Sequence, residues 1–429
     1  MSVQIYKGTI VTSETIDTLE VYEDAYLTVE DGVIRSIGDN IPDTYKDLPV
    51  TDYGRSLLIP AFSDLHIHAP QYHERGVGMD CLLFDWLNTY TFPEEARFAD
   101  TDYARTAYAQ VIRDLLRHGT LHANFFTTIH YDASDLFFRM LQKSGLYAFA
   151  GKLNMDMNSP DYLVEETEQA IADTERFVAE HPGDDHVKPI LVPRFAPTCS
   201  EKLLKGLGRI AESYHVGVHT HLVESRAEAA WAAELFPQYG SDGAIYEGCG
   251  LLGHGPAIMA HVIFPTEVEE RILEKYDVVS VHCPDATTNI TAGIMPVRRM
   301  QKQGFRIAAG SDIGGGHHTG VYTQAARAVQ LSKLKEFYEP ENERLAFANA
   351  FYMATAEGGS VFGKAGRLAP GYRFDALVID SMENEGKELT PLERLERFCY
   401  IGDDRNIRER FVDGRRIDPE EVYRKMLGC

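Results

Sequence analysis

The chain has few cysteines, six in 429 residues, and none of Cys81, Cys199, Cys249, Cys283, Cys399 and Cys429 stands in a CxxC pair. The first twenty residues, MSVQIYKGTIVTSETIDTLE, lack a basic start followed by a long apolar run, so no signal peptide is expected. A disulfide framework is not expected in so long a chain without a leader, and the cysteines read as free thiols of a reducing cytoplasm. No stretch reaches about 20 uninterrupted apolar residues, so no membrane span is expected. Positive charge is scarce: 42 Lys and Arg stand against 65 Asp and Glu, a formal net charge of -23. A surface that negative repels phosphate backbones and anionic lipid, which argues against nucleic acid or membrane as a partner and is compatible with a small neutral substrate. There is no charge block long enough to be a tail, no low-complexity tract and no short-period repeat. The glycines Gly314 to Gly316 are followed by no GK[ST], so they form no P-loop, and no HExxH is present.

What is there is length enough for one large domain with a satellite. The beginning alternates: Ile5, Val11, Val21, Leu27, Val29, Val33, Ile34 and Ile37 sit among polar residues, and Glu30-Asp31-Gly32 reads as a hairpin turn. From about Leu57 apolar strand-like runs alternate with helical stretches. The runs are LLIPAFSDLHIH, TLHANFFTTIH, YAFAGKLNMD, KPILVPRFAP, VGVHTHLVE, AIMAHVIFP, VVSVHCP and RIAAGSDIG. Ser200 is the N-cap of a helix with Leu203, Leu204, Leu207, Ile210 and Ala211 at helical spacing. Thr266-Glu267-Val268-Glu269 is a capping-box pattern, and residues 161–181 read as one long helix. Eight strand–helix units predict a parallel (β/α)8 TIM barrel over residues 57–364. Strand signals return after about 365, in Gly366-Arg367-Leu368-Ala369-Pro370-Gly371 and Phe374-Asp375-Ala376-Leu377-Val378-Ile379-Asp380. Residues 1–56 and 365–429 are therefore expected to pair into a small β-sandwich beside the barrel.

In such a barrel, functional residues gather at the C-terminal ends of the strands. The first run ends in His66-Ile67-His68, and alternation along a strand aims both imidazoles the same way. The fourth ends with Arg194-Phe195, the fifth with His221 and then Glu224, the sixth with His261, the seventh with His282-Cys283-Pro284 and the eighth with Asp312. Singly, each has an ordinary structural role open to it, such as an Asx turn for Asp312. Jointly, four histidines and an aspartate at one rim call for a shared cause. Three neutral imidazoles and a carboxylate suit zinc or iron(II), either of which makes hydroxide available near neutral pH. Glu224 is placed to take a proton and hand one on, and His261 to orient the hydroxide. His317 and His318 read as solvated loop residues and Cys283 as a packed thiol. Trp86 is either core or a roof over a flat ligand.

The set His66-x-His68, His221-x-x-Glu224, His261 and Asp312 resembles the amidohydrolase superfamily. So do Val29-Glu30-Asp31-Gly32-Val33-Ile34-Arg35-Ser36-Ile37-Gly38 and residues 366–376 at the ends, and the resemblance spans nearly the whole chain. Within the superfamily the chain is similar to the mononuclear-metal aminohydrolase branch that acts on guanine. The residues that carry this are His66-Ile67-His68-Ala69-Pro70-Gln71-Tyr72, the stretch matching WLxxYTFPxE from Trp86, Thr127-Thr128-Ile129-His130, Gly151-Lys152-Leu153-Asn154-Met155-Asp156 and Pro193-Arg194-Phe195-Ala196-Pro197-Thr198-Cys199-Ser200. The resemblance implies one zinc per chain, with iron(II) as the other metal that suits, on His66, His68, His221 and Asp312. It implies Gln71, Arg194 and Phe195 as purine contacts, Glu224 as proton shuttle and His261 beside the bound water; Asp312 joins them as an expected catalytic group, and Trp86 is expected to enclose the ring. The expected reaction is hydrolysis of guanine to xanthine and ammonia, in a cytoplasmic homodimer. A pterin, an oxidised guanine such as 8-oxoguanine or an adenine-type ring are alternative substrates on the same barrel. A two-metal relative would place a lysine at the end of strand four, where this chain has Arg194, and that also counts against a cyclic-amide hydrolase. A catalytically dead scaffold would have no reason to keep the whole set. One departure stands out: after strand seven the chain has His282-Cys283-Pro284-Asp285-Ala286-Thr287-Thr288-Asn289 where the family more often shows an HCPxSN-type run, with Thr287, Thr288 or Asn289 in the place of that asparagine, and this leaves the loop's role open.

Overall fold

The computed structural model describes residues 2–383 and 386–428, so Cys429 lies outside the described residues. The chain begins with β1 (Val3–Ser13), β2 (Leu19–Glu30) and β3 (Val33–Gly38), an antiparallel meander. The β2–β3 connection is the expected hairpin. Asp31 and Gly32 take φ of 48° and 80°, the pair of positive values a two-residue turn of the right twist requires. β4 (Val50–Pro60) then pairs parallel to β1. Leu57 to Pro60, which the sequence pattern assigns to the barrel, thus belong to this first sheet. Their side chains pack both against β1 and against the chain's far end, as described below.

The barrel follows. Its strands are β5 (Phe62–His68), β6 (Thr120–Phe126), β7 (Tyr147–Gly151) with its extension β8 (Leu153–Asn154), β9 (Val187–Pro189) with its extension β10 (Val192–Pro193), β11 (Val218–Leu222), β12 (Ala257–His261), β13 (Val279–His282) and β14 (Arg306–Ala309). Each of the eight expected runs contains one strand position, and all pairings among them are parallel. A bridge from Leu191 to Val218 joins the two four-stranded halves. The other seam is closed where Asp312 N–H donates to the His66 carbonyl at 2.8 Å and His68 N–H to the Ile313 carbonyl at 2.9 Å. Strand eight can pass this close to strand one because Gly310 has no side chain: a Cβ there would stand 3.1 Å from the His66 Cβ and 2.7 Å from Val281.

Helices cover the barrel as the apolar spacing requires. Ser200 accepts the Leu203 N–H at 3.1 Å, and Thr266 with Glu269 forms a capping box. The single helix expected over 161–181 is instead a 3₁₀ turn, Asp161–Leu163, and a helix, Thr167–Glu180. The break has a cause. Glu165 turns inward to pair with the fully buried Lys152 and to accept the Met155 N–H, and helical backbone does not run through that position. Among the described residues no helix is long and apolar enough to cross a membrane.

The chain then returns to its first sheet with β15 (Ala376–Ile379), β16 (Ile407–Val412) and β17 (Arg415–Arg416). The order is β17-β16-β15-β4-β1-β2-β3, so β4 sits between the two ends of the chain. Both ends do pair, in a single seven-stranded sheet. It curls into two layers because Gly371, Tyr372 and Phe374 hydrogen-bond back to Ile34 and Gly32 around β3. Tyr6, Leu27, Val29, Leu58, Phe374, Val378 and Phe411 fill the space between. The last segment also carries two helices that alternation alone does not reveal, Pro391–Ile401 and Pro419–Leu427. Sheet and barrel are joined by a buried polar row: Ser63 Oγ lies 3.1 Å from His122 Nδ1, and His122 Nε2 lies 2.9 Å from Asp375 Oδ2.

Candidate active site

The strand ends converge as alternation predicts. His66 Nε2 and His68 Nε2 lie 3.2 and 3.5 Å from Asp312 Oδ1, and His68 Nε2 lies 3.2 Å from His221 Nε2. His261 Nε2 stands 3.4 Å from Glu224 Oε1 and 3.8 Å from Asp312 Oδ2. All six side chains are buried. Burial, helped by the Arg194 charge, holds His66 down to about 3; burial with the neighbouring imidazoles holds His221 to about 3 and lowers His68 and His261 well below the usual value. The rings are therefore neutral, as metal ligands must be.

Their tautomers suit a cation. His221 Nδ1 is 2.6 Å from the Arg194 carbonyl and so carries the proton there, which leaves a bare lone pair on Nε2. His66 Nδ1 lies 2.8 Å from His219 Nε2; when it donates, His66 Nε2 is bare as well, and that buried atom has no hydrogen-bond partner. Ligand atoms of His66, His68 and His221, and of His66, His261 and Asp312, fall within 4.8 Å of one another. Lone pairs and a carboxylate crowded this closely repel unless a cation sits among them. The donor set, nitrogen with one oxygen, fits a divalent transition metal. The outer contacts from His219 and the Arg194 carbonyl are the kind that orient such ligands.

Backbone strain is concentrated here. Val223, His261, Val262 and Asp312 all take positive φ, at 42°, 73°, 46° and 49°. For β-branched valine this is a costly conformation, found where the surroundings over-determine it. Asp242 Oδ2 accepts the Val223 N–H at 3.0 Å, and Glu228 Oε2 accepts the N–H groups of Glu224 and Ser225 at 3.0 and 3.3 Å. Burial, and next to it the Asp312 charge, pushes the Glu224 carboxyl up to about 8, which suits a group that must both take and give a proton near neutrality.

Above the cluster opens a cavity. His68, His221, Glu224 and Asp312 form part of its floor, with Gln71, Arg194 and Phe195 on the wall and Leu83, Phe84, Trp86 and Leu87 over the top. Trp86 packs in a core cluster and also lines the cavity, with its indole N–H on the Val77 carbonyl at 3.1 Å. His317 is exposed, and His318 points away to His118 and Tyr322; neither joins the cluster. Cys283 is fully buried, a packed thiol as expected. The strand-seven loop forms a short helix, Pro284–Asn289, from which Asn289 donates to the Gly315 carbonyl at 2.8 Å and Ile290 reaches the cavity.

Sequence reasoning missed several neighbours. His219 stands two residues before His221 and repeats the HxH alternation, a signal that was there to read. Asp64 stands two before His66 on the same face and accepts the Ser311 N–H at 2.9 Å. Glu95, Glu228 and Trp231 reach the site from helices, where no strand-end pattern marks them.

Residues 57–417 match the Amidohydrolase family, and the chain belongs to it. Within that class it is similar to a guanine deaminase of Dictyostelium discoideum, 34% identical over 97% of this chain and 98% of that protein. It is likewise similar to the guanine deaminase of Mus musculus, 32% identical over 97% and 96%. Among solved structures, the guanine deaminase of C. acetobutylicum with guanine bound in its active site superposes with a TM-score of 0.94, at 42% identity over 97% of this chain and all of that one.

Proposed function

We propose that the chain is a guanine deaminase, converting guanine and water to xanthine and ammonia. The observation that carries this is the meeting in one cavity of the histidine–aspartate cluster, Glu224 and the Gln71–Arg194 wall. The similarity to a guanine-bound deaminase over nearly the whole chain supports it. We take His66, His68, His221 and Asp312 to hold one metal, zinc by preference on a nitrogen-rich donor set, with iron(II) second. When bound, that metal supplies hydroxide as the nucleophile near neutral pH.

The chain's own groups do the rest. Arg194 offers a planar fork to the ring carbonyl, and Gln71 a donor and an acceptor to the adjoining amide edge. Phe195 and Trp86 enclose the ring, so that the carbon bearing the amino group faces the floor. Glu224 takes a proton from the attacking water and passes it to the neighbouring ring nitrogen. His261, in reach of both Glu224 and Asp312, orients that water. As the carbon–nitrogen bond breaks, Asp312 takes the remaining proton of the added hydroxyl and, through Glu224, hands it to the amine, which departs as ammonia while the carbonyl forms.

We place the enzyme in the cytoplasm on its free Cys81, Cys199, Cys249, Cys283 and Cys399. We take it as a homodimer on its family likeness, with the exposed Phe337 and Tyr338 as apolar surface available to a second copy. The test is ammonia release from guanine, 8-oxoguanine, adenine, cytosine and a pterin, on protein assayed for metal. Turnover of guanine above the rest, with about one metal per chain as a single closed site requires, upholds the reading. Metal present with guanine inert overturns it.

A further inference from the structure

The stretch WLxxYTFPxE ends in Glu95, to which the mechanism above gives no task. Glu95 lies in a short helix, Phe92–Ala96, and is 2% exposed. Its carboxylate accepts from Arg194 Nη1 at 3.0 and 2.7 Å and from Gln71 Nε2 at 2.7 Å. Phe92, three residues earlier and hence on the same helix face, lays its ring 5.3 Å from the Arg194 guanidinium carbon. One helical turn therefore grips both residues of the wall that faces the ring edge. The other end of the Gln71 amide is also held: its Oε1 accepts the Gly314 N–H at 3.0 Å.

These contacts leave the amide one orientation. A backbone N–H only donates and a carboxylate only accepts, so Gln71 must turn its oxygen to Gly314 and its nitrogen to Glu95. Glu74, buried beside Glu95, has its carboxyl pushed up to about 9 by burial and by the Glu95 charge, so it stays neutral and does not compete for Arg194. What Gln71 then shows the cavity is its second N–H and its second lone pair, in a set order beside the Arg194 donors.

We infer that Glu95 is a positioning residue that fixes the order of donors and acceptors on the ring-reading wall, and so selects a 6-oxo purine over a 6-amino one. A lactam edge presents an acceptor beside an N–H; an aminopurine edge presents the reverse. A wall whose amide could turn over would serve both. This rests on the reading of Gln71 and Arg194 as ring contacts.

Glu95→Gln tests it. Glutamine can accept from Arg194 through its oxygen, but its amino group then faces the Gln71 nitrogen. Gln71 must either meet donor with donor there or turn over and do so at Gly314. The expected result is a KM for guanine raised at least tenfold with kcat within about threefold, and metal content unchanged, since binding of ring and transition state are weakened alike. The ratio of inhibition constants for adenine over hypoxanthine, neither of which carries the reacting 2-amino group, should fall by tenfold or more. In a Gln71→Ala background the same substitution should do much less, because one of its two targets is gone. If Glu95→Gln leaves KM and that ratio within twofold while Arg194→Ala raises KM, the inference is wrong and the pocket reading stands. If Arg194→Ala also leaves KM unchanged, the pocket reading itself fails. Should Glu95→Gln not fold, Gln71→Glu sets two carboxylates face to face, and the same loss of selectivity is expected; full selectivity in that variant overturns the inference.

Discussion

Glu228 accepts the backbone N–H of Glu224 at 3.0 Å with the same oxygen that closes the capping box of the helix Arg226–Leu235. A helix cap thereby holds Glu224, the proposed proton carrier, in place. Burial, then the charges of Asp242 and Glu224, pushes the Glu228 carboxyl far up, so it accepts as a neutral acid. Glu228→Gln keeps an accepting oxygen and should cost little; Glu228→Ala should lower kcat about tenfold or more while KM holds, with about 1 kcal/mol of stability lost. The control is the capping box of Thr390 and Glu393, far from the cavity. Glu393→Ala should show the stability loss and no change in kcat; equal kcat losses in both variants would reduce Glu228 to a cap.

Glu224→Gln removes the proposed proton carrier and leaves the donor set intact. Turnover should fall by about 10²–10⁴, the usual worth of general acid–base catalysis, with metal retained at the wild-type level. Near-normal kcat would send the proton to another group.

Chelation should abolish turnover and lower the melting temperature, and added zinc should restore both. A ligand that binds only the folded chain, present at about a thousand times its Kd, stabilises it by about 4 kcal/mol. A melting temperature indifferent to chelator would mean that the cluster holds no metal.

Asp375 ties the curled sheet to the barrel. Burial pushes its carboxyl up, but His122, Arg373 and the Asp413 N–H together outweigh that and hold it below the ordinary range. A depressed carboxyl stabilises the fold above its unfolded value, near 3.9, and the gain is lost as pH falls through the folded value. Asp375→Asn should therefore cost about 3 kcal/mol at pH 6, as expected when a buried pair loses one partner, and less and less below about pH 4. Melting curves of both proteins from pH 3 to 7 check it; a constant gap would mean that the charge does no work.

One tryptophan lines the cavity and the other packs against two of its lining rings. Trp86 lines it, and Trp231 packs edge-on to Phe84 and Phe195, at 6.1 and 6.2 Å between ring centres. Titration with hypoxanthine should change the intrinsic fluorescence, and Trp86→Phe should remove most of the change. No change at saturation would place the ring elsewhere.

The strand-borne part of the site was legible because alternation is a local rule. His66 and His68 share a face by spacing alone, and a barrel delivers His221, His261 and Asp312 to the same rim. Helix-borne Glu95 and Glu228 were hidden, since their distance from Arg194 and Glu224 depends on how helices cross the barrel. His219 and Asp64 obey the same alternation as His66, His68 and His221, and only their place behind those side chains separates them. At the ends of the chain, periodicity signalled strands and not their order, so the pairing of β4 with β15 and the boundary at Pro60 waited for the structure. The break before Thr167 was hidden for another reason: it follows from one carboxylate, Glu165, answering a buried lysine.

That order of strands bears on how the chain is made. Among the described residues, the edge of β4 from Leu57 to Pro60 that faces away from β1 is met by β15, whose Ala376 pairs with Pro60. At synthesis rates of about 5–20 residues per second, the roughly 300 residues between them keep that edge bare for tens of seconds on every ribosome. Throughout that time the nascent chain carries an apolar, hydrogen-bonding strip that its own sequence cannot yet cover, and neighbouring copies on one message offer the same strip to each other.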